Sequence, residues 1–283
     1  MTDSDKKNAI RMILFSSSLG GIGYLSFNNG LLLAYFSNLG IPSPSILILL
    51  SLLPLSQFIF LVPSSYLSDI YGKKFIGSIG LVFCIFGFLL LMNASFFSEY
   101  YIIWILGIGI VVFGTGTAMN IGSWFALIHP IIPENIRGRF FGNLRFTWQS
   151  VGFIFTLLCI YILEWHHTLG MYQAIIGVIT FFIALRLIFY QLIPELEKSS
   201  TKKGTFRKSF LKVLTIPEYI PFCSYCFLLT LFTGACPQIF NLIEKDVIKM
   251  TKVDIVFIGN LLVLGALAGF FLGGRMVDRI GTK

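Results

Sequence analysis

Charge is what this chain has least of. Asp, Glu, Lys and Arg make up 12% of its residues, where soluble globular chains carry about a quarter. With 56% hydrophobic residues and a mean hydropathy of +0.84, that deficit excludes a soluble domain. Cysteine is also sparse: Cys84, Cys159, Cys223, Cys226 and Cys236 all fall inside apolar runs, so no disulfide framework is expected. Cys223-x-x-Cys226 has metal or redox spacing, but no second pair or His cluster goes with it, and it reads as small packing side chains. His166-His167 reads as solvated loop. No metal and no cofactor are expected. No Asp or Glu stands in the middle of an apolar run, and no nucleophile, base or metal set converges inside one, so an enzyme is not expected.

What is present is long apolar runs, each near the roughly 20 residues a bilayer-spanning helix needs. Eight are legible, at about 12–36, 44–66, 75–96, 100–128, 146–163, 170–192, 218–240 and 255–273. An outer-membrane barrel would need short alternating segments of about 10 residues, which continuous runs such as Leu81 to Met92 exclude. The first run follows Lys6, Lys7 and Arg11, but it is too long for a signal peptide and lacks a small-residue cleavage site.

The net charge of +8 reports topology and not a nucleic-acid partner. Lys6, Lys7 and Arg11, then Lys73 and Lys74, then Arg137, Arg139 and Arg145 lie between runs on one expected side. The polar stretch after Leu192 adds Lys198, Lys202, Lys203, Arg207, Lys208 and Lys212 to that side, and the C-terminal stretch adds Arg275, Arg279 and Lys283. Only Lys245, Lys249 and Lys252 fall on the other, and Arg186, inside the sixth run near its inner end, is expected to reach the headgroups with its long side chain and is assigned no function. Basic residues mark the cytoplasmic face, so the N-terminus and the central linker are expected inside a plasma (inner) membrane. The linker also places Phe206, Phe210, Val213 and Leu214 on one helical face, which suits either an inner-leaflet contact or a solvated turn.

The chain also repeats itself. Ser65 to Lys74 (Ser-Tyr-Leu-Ser-Asp-Ile-Tyr-Gly-Lys-Lys) aligns with Gly274 to Lys283 (Gly-Arg-Met-Val-Asp-Arg-Ile-Gly-Thr-Lys) at a shift of 209 residues, from Asp69 to Asp278. The alignment runs back without a gap to Ile46 and Ile255. Duplicated membrane halves are characteristic of transporters.

Together, six runs, a basic linker and a second copy of the same loop motif after the corresponding helix resemble the major facilitator superfamily. The family's loop motif Gly-x-Leu-Ala-Asp-Arg-x-Gly-Arg-Lys matches Leu67, Asp69, Gly72, Lys73 and Lys74, and in the second copy Gly274, Asp278, Arg279, Gly281 and Lys283. A third family-like feature is the loop Pro133 to Gly142, with Glu134, Arg137 and Arg139. The resemblance implies an all-α membrane protein of the MFS fold. It has a six-helix bundle over 1–194, a cytoplasmic basic linker over 195–216, and over 217–283 the first two helices of a second bundle. That is eight of an expected twelve spans, so the chain is expected to be a C-terminally truncated fragment, and a monomer.

The resemblance further implies that the loop motif braces a gate, with Asp69 meeting Arg137 and Arg139, and that the first and fourth helices of each half line a solute cavity. The candidate cavity residues are Tyr24, Asn28 and Asn29 in the first run, with Asn120 and Trp124 in the fourth. Trp148 and Gln149 in the fifth and Gln238 and Asn241 in the seventh complete the set. Thr and Ser in the runs, and Gly107, Gly109, Gly114 and Gly116, are expected to serve helix packing. Pro237 is expected to kink or break the seventh run. The family's Arg-x-x-Gln-Gly-x-Gly motif has Ile110 in place of its Arg, and the fifth-helix signature of drug–proton antiporters is absent. Both departures argue against a drug antiporter. The amide-rich, aromatic set suits a neutral polar solute such as a sugar, moved by alternating access, because no cavity Arg or Lys is visible at mid-membrane. A non-transporting sensor or assembly partner with the same fold is the alternative.

Overall fold

The computed structural model describes residues 3–133, 136–197, 211, 215–217, 219–234 and 236–280. Glu134, Gly281 and the linker residues Phe206, Phe210, Val213 and Leu214 lie outside the described residues. Every regular element among those described is a helix. They are α1 (Asp3–Leu25), α2 (Leu31–Asn38), α3 (Ser43–Tyr71), α4 (Lys73–Asn93), α5 (Glu99–Ile128), α6 (Arg137–Trp165) and α7 (Leu169–Gln191). After the linker come α8 (Tyr219–Thr233), α9 (Cys236–Asp246) and α10 (Lys252–Ile280). Among the described residues, six helices are long and apolar enough to cross a membrane: α3 to α7 and α10.

The first and seventh runs, expected as single spans, are each split in two. In the first, α1 ends at Leu25 and Gly30 takes a left-handed φ of +82° before α2 begins. Asn29 holds the break open, its Oδ1 accepting the Leu31 N–H at 3.2 Å. A side-chain carbonyl has replaced a helical one. In the seventh run, α8 ends at Thr233 and α9 begins at Cys236-Pro237, where proline is tolerated because the first helical N–H groups have no partner to lose.

The repeat persists in three dimensions. α3 and α10 are both 29 residues long, and both their first and last residues are separated by the 209-residue shift. The same shift carries Leu25 to within one residue of the end of α8.

Small residues set the packing, as expected where lipid removes most of the hydrophobic drive between helices. A Cβ on Gly80 would strike the Gly116 carbonyl and one on Gly87 the Gly109 carbonyl, so α4 and α5 cross with backbones in contact. Gly114 abuts Ser56 and the Leu53 carbonyl on α3 in the same way. Gly107 meets only Leu49 and Leu52 side chains at ordinary contact distance. Around this seam, α1 packs against α6 and α7, and α10 lies along α6. The outer surface is apolar, with Phe58, Trp104, Phe181 and Leu262 largely exposed, as lipid-facing side chains are.

Two buried clusters result. One surrounds α2, whose residues Leu31 to Phe36 are buried on every side; an all-round apolar helix demands that. Tyr35 ties it in by donating to the Leu91 carbonyl at 2.8 Å. The other cluster lies toward the end of the bundle that carries Lys73, and includes Ile13, Leu81, Leu127, Ile131 and Tyr190.

Candidate functional site

A cavity of about 280 Å³ lies between these clusters, walled by α1, α5, α6 and α7 with a contribution from α4. Phe113, Cys84 and Ile183 belong to the first cluster, and Trp124 and Leu144 to the second. The cavity extends toward the Lys73 end, where Phe141 lies one turn inside α6.

Four of the nine expected residues line it: Tyr24, Asn120, Trp124 and Trp148. The other five sit elsewhere. Asn28 and Gln238 meet at a junction of the two broken runs, and Asn29 beside them turns to α6. Gln238 Nε2 donates to Asn28 Oδ1 at 3.2 Å, and Asn29 Nδ2 donates to Thr156 Oγ1 on α6 at 3.1 Å. Gln149 and Asn241 are buried in helix packing off the cavity wall, with Gln149 Oε1 and Asn241 Nδ2 lacking protein partners. Thr117, expected as packing, does both: it lines the cavity, donates to the Gly114 carbonyl at 2.8 Å and accepts Gln57 Nε2 at 3.0 Å.

The largest departure from the sequence reading is Arg186, read there as a headgroup-seeking side chain near the end of the sixth run. It lines the cavity. Its Nη2 donates to Asn120 Oδ1 at 2.5 Å, and its Nε is enclosed with no partner among the described residues. Asn120 is in turn anchored through Nδ2 to the Gly77 carbonyl at 3.5 Å. Space for the guanidinium exists because residue 20 is glycine: a Cβ there would overlap it, and a Cβ on Gly21 would overlap the Trp148 ring. Arg145 also lines the cavity, its guanidinium 5.3 Å from the Phe270 ring of α10, in cation–π range. The expectation that no Arg or Lys faces the cavity therefore fails. Spacing could have found Arg186, since Ile183 and Tyr190 flank it on one helical face and both are buried. A lone charge in an apolar run is itself a pointer to a cavity.

At the Lys73 end, α3 and α4 are joined by Gly72 alone, at φ +105°, the tight reversal expected of it. Asp69 is exposed and, among the described residues, forms no ion pair with Arg137 or Arg139. Two linker carboxylates hold the loop instead. The buried Lys73 donates its backbone N–H to Glu195 Oε1 at 2.7 Å and pairs through Nζ with Glu197. The hydrogen bond from Lys73, and then its charge, hold the Glu197 carboxyl below the ordinary carboxylate range. Lys74 is half-buried and Arg139 exposed. Gly274, Asp278 and Arg279 fall on the last turns of α10.

The opposite end is tied between the halves. Lys252 Nζ donates to Asn38 Oδ1 at 2.6 Å and Lys245 Nζ to Ser43 Oγ at 2.7 Å, while Ser43 Oγ donates to Asp246 Oδ1 at 3.1 Å. Deeper in, α10 crosses the first break so closely that a Cβ on Gly259 would lie 2.7 Å from the Asn29 carbonyl oxygen. Asn260 Nδ2 donates to the Phe153 carbonyl on α6 at 3.3 Å.

A duplicated helical unit, a central cavity and a single-glycine loop meet in one chain, and the Major Facilitator Superfamily model matches residues 12–283. The chain belongs to the Major Facilitator Superfamily. A comparison with curated proteins returned no match. Members of the Major Facilitator Superfamily are multi-pass membrane proteins that act as secondary transporters of small solutes, not as enzymes, and this chain has the apolar helices that membership requires.

Proposed function

We propose that this protein carries a small solute across the plasma membrane by alternating access, as a monomer, with its Lys73 end cytoplasmic. The observation that carries the proposal is an asymmetry. The cavity reaches toward the Lys73 end, while at the other end Asn38 and Ser43 of the first half are bonded to Lys245, Asp246 and Lys252 of the second. A site with one end tied across the halves and the other end unbraced at Asp69 is what an inward-facing carrier needs. The loop motif at Asp69, Gly72, Lys73 and Lys74, with Arg137 and Arg139 and its second copy at Gly274, Asp278 and Arg279, would then brace the opposite, outward-facing state.

The neutral sugar expected from the amides loses part of its support, since Arg186 and Arg145 share the wall with Asn120. Flux of a labelled solute panel, neutral and charged, into proteoliposomes tests the transport reading. Asp69→Asn is expected to cut that flux at least fivefold with normal membrane insertion, because insertion follows apolar length and basic-residue bias. Unchanged flux in that variant would remove the brace.

A further inference from the structure

Resting on the reading of this cavity as the solute site, we infer that its solute is a small organic anion, a monocarboxylate with a flat apolar body, held by Arg186. Among the described residues, the cavity wall carries two cations, Arg186 and Arg145, and no carboxylate. Intramembrane charges pair with one another, with backbone or with a passing substrate, because an unpaired charge in low dielectric is costly. Among the described residues, Arg186 spends one of its five N–H donors, on Asn120. With Nε enclosed, the guanidinium meets the cavity through its Nη end, and that planar edge matches the two oxygens of a carboxylate.

Asn120 fixes the guanidinium from one side, so the edge is held in place before a solute arrives. The glycine at position 20 matters for the same reason: any side chain there would displace the group. Six aromatic residues, Tyr24, Phe113, Trp124, Phe125, Phe141 and Trp148, share the wall with Ser17, Thr117 and aliphatic side chains around a space of about 280 Å³. Rings of that number favour a flat apolar body over a polyhydroxylated one. Trp148 Nε1 is also enclosed without a protein partner. Arg145, exposed and resting on Phe270, adds a second positive charge to the wall.

Binding and flux separate this inference from the transport reading. The whole chain, in neutral detergent at constant ionic strength, is titrated with monocarboxylates from acetate to benzoate and with benzamide as the uncharged match to benzoate. The readout is the fluorescence of Trp124 and Trp148. Saturable binding of benzoate at least tenfold tighter than benzamide is expected. Arg186→Gln should weaken benzoate at least tenfold and leave benzamide unchanged, while Arg186→Lys, which keeps the charge and loses the fork, should fall between. Thermal unfolding checks that each variant is folded; should Arg186→Gln not fold, the wild-type benzoate-to-benzamide ratio decides alone. Equal affinity for benzoate and benzamide, undiminished benzoate binding in folded Arg186→Gln, or no saturable binding of any carboxylate would each overturn the inference. If neutral solutes then still cross proteoliposomes, transport stands and only the anion is lost. If carboxylates bind and no solute crosses, the site stands and transport is lost.

Discussion

In the first copy of the repeated unit, α1 and α2 are parted by Asn29 and the left-handed Gly30, and α2 is buried on all sides. In the second, α8 and α9 are parted near Gly234 with Pro237 opening α9, and α8 shows most of its side chains to the outside. The chemistry of the two breaks is unrelated and their position in the unit is nearly the same. The place of the interruption is therefore what the two copies share. The reason is visible where the copies meet: the first break lets α10 approach backbone to backbone at Asn29 and Gly259, and the second brings Gln238 to Asn28. Discontinuous helices at matching places in two halves mark the working centre of a transporter.

The comparison breaks most severely at Gly259. Gly259→Ala places a methyl group against fixed backbone, so α10 must move off the first break, and flux is expected to fall more than tenfold. Gly265→Ala, in the same helix with nothing within 4 Å, is the control and should leave flux unchanged. Disulfide trapping between Asn38→Cys and Lys252→Cys reports the same displacement, fast in the parent and slow with Gly259→Ala.

The next test asks how far the first break depends on its left-handed glycine. Gly30→Ala forces a side chain into φ +82°, with its Cβ 2.9 Å from Ile255, and should cost about 1–2 kcal/mol, seen as a lower Tm in micelles. A smaller effect is expected from the polar tie at the Ser43 end. Lys245→Gln with Lys252→Gln removes two charge-assisted bonds worth together about 1 kcal/mol at a partly exposed site. That should shift the two conformations about fivefold, read as labelling of Ser45→Cys, half-buried at the same end.

The smallest effect belongs to the linker clamp, for which the second copy has no described equivalent. Because the folded Glu197 pKa is lowered, its contribution is present above the ordinary carboxylate pKa and is lost as pH falls through the lowered folded value. Proteolysis of the linker should therefore be slow at neutral pH and quicken only in acid below the usual carboxylate range. Glu197→Gln should remove that pH dependence at the acid end.

Much of this was legible beforehand. The helical class, the apolar spans, the repeat and its register, the reversal at Gly72 and the break at Pro237 follow from local chemistry: residue size, charge and the loss of a backbone donor. Tyr24, Asn120, Trp124 and Trp148, which the family resemblance and helical spacing together point to, line the cavity. Asn28, Asn29 and Gln238 were misplaced because spacing assumes a continuous helix, and Gly30 ends that assumption. Arg186 was misread because a sequence records its depth in a run and not the glycine on another helix that makes room for it.

Amino-acid order alone thus determined that this is a membrane-embedded, duplicated helical chain, since apolar length, basic-residue bias and repeat phase are all one-dimensional properties. Which polar groups face the cavity, which tie the halves and where a charge finds its space were decided only by the tertiary structure. Those outcomes depend on contacts between residues far apart in the chain, such as Gly20 with Arg186, Arg186 with Asn120, and Asn29 with Gly259.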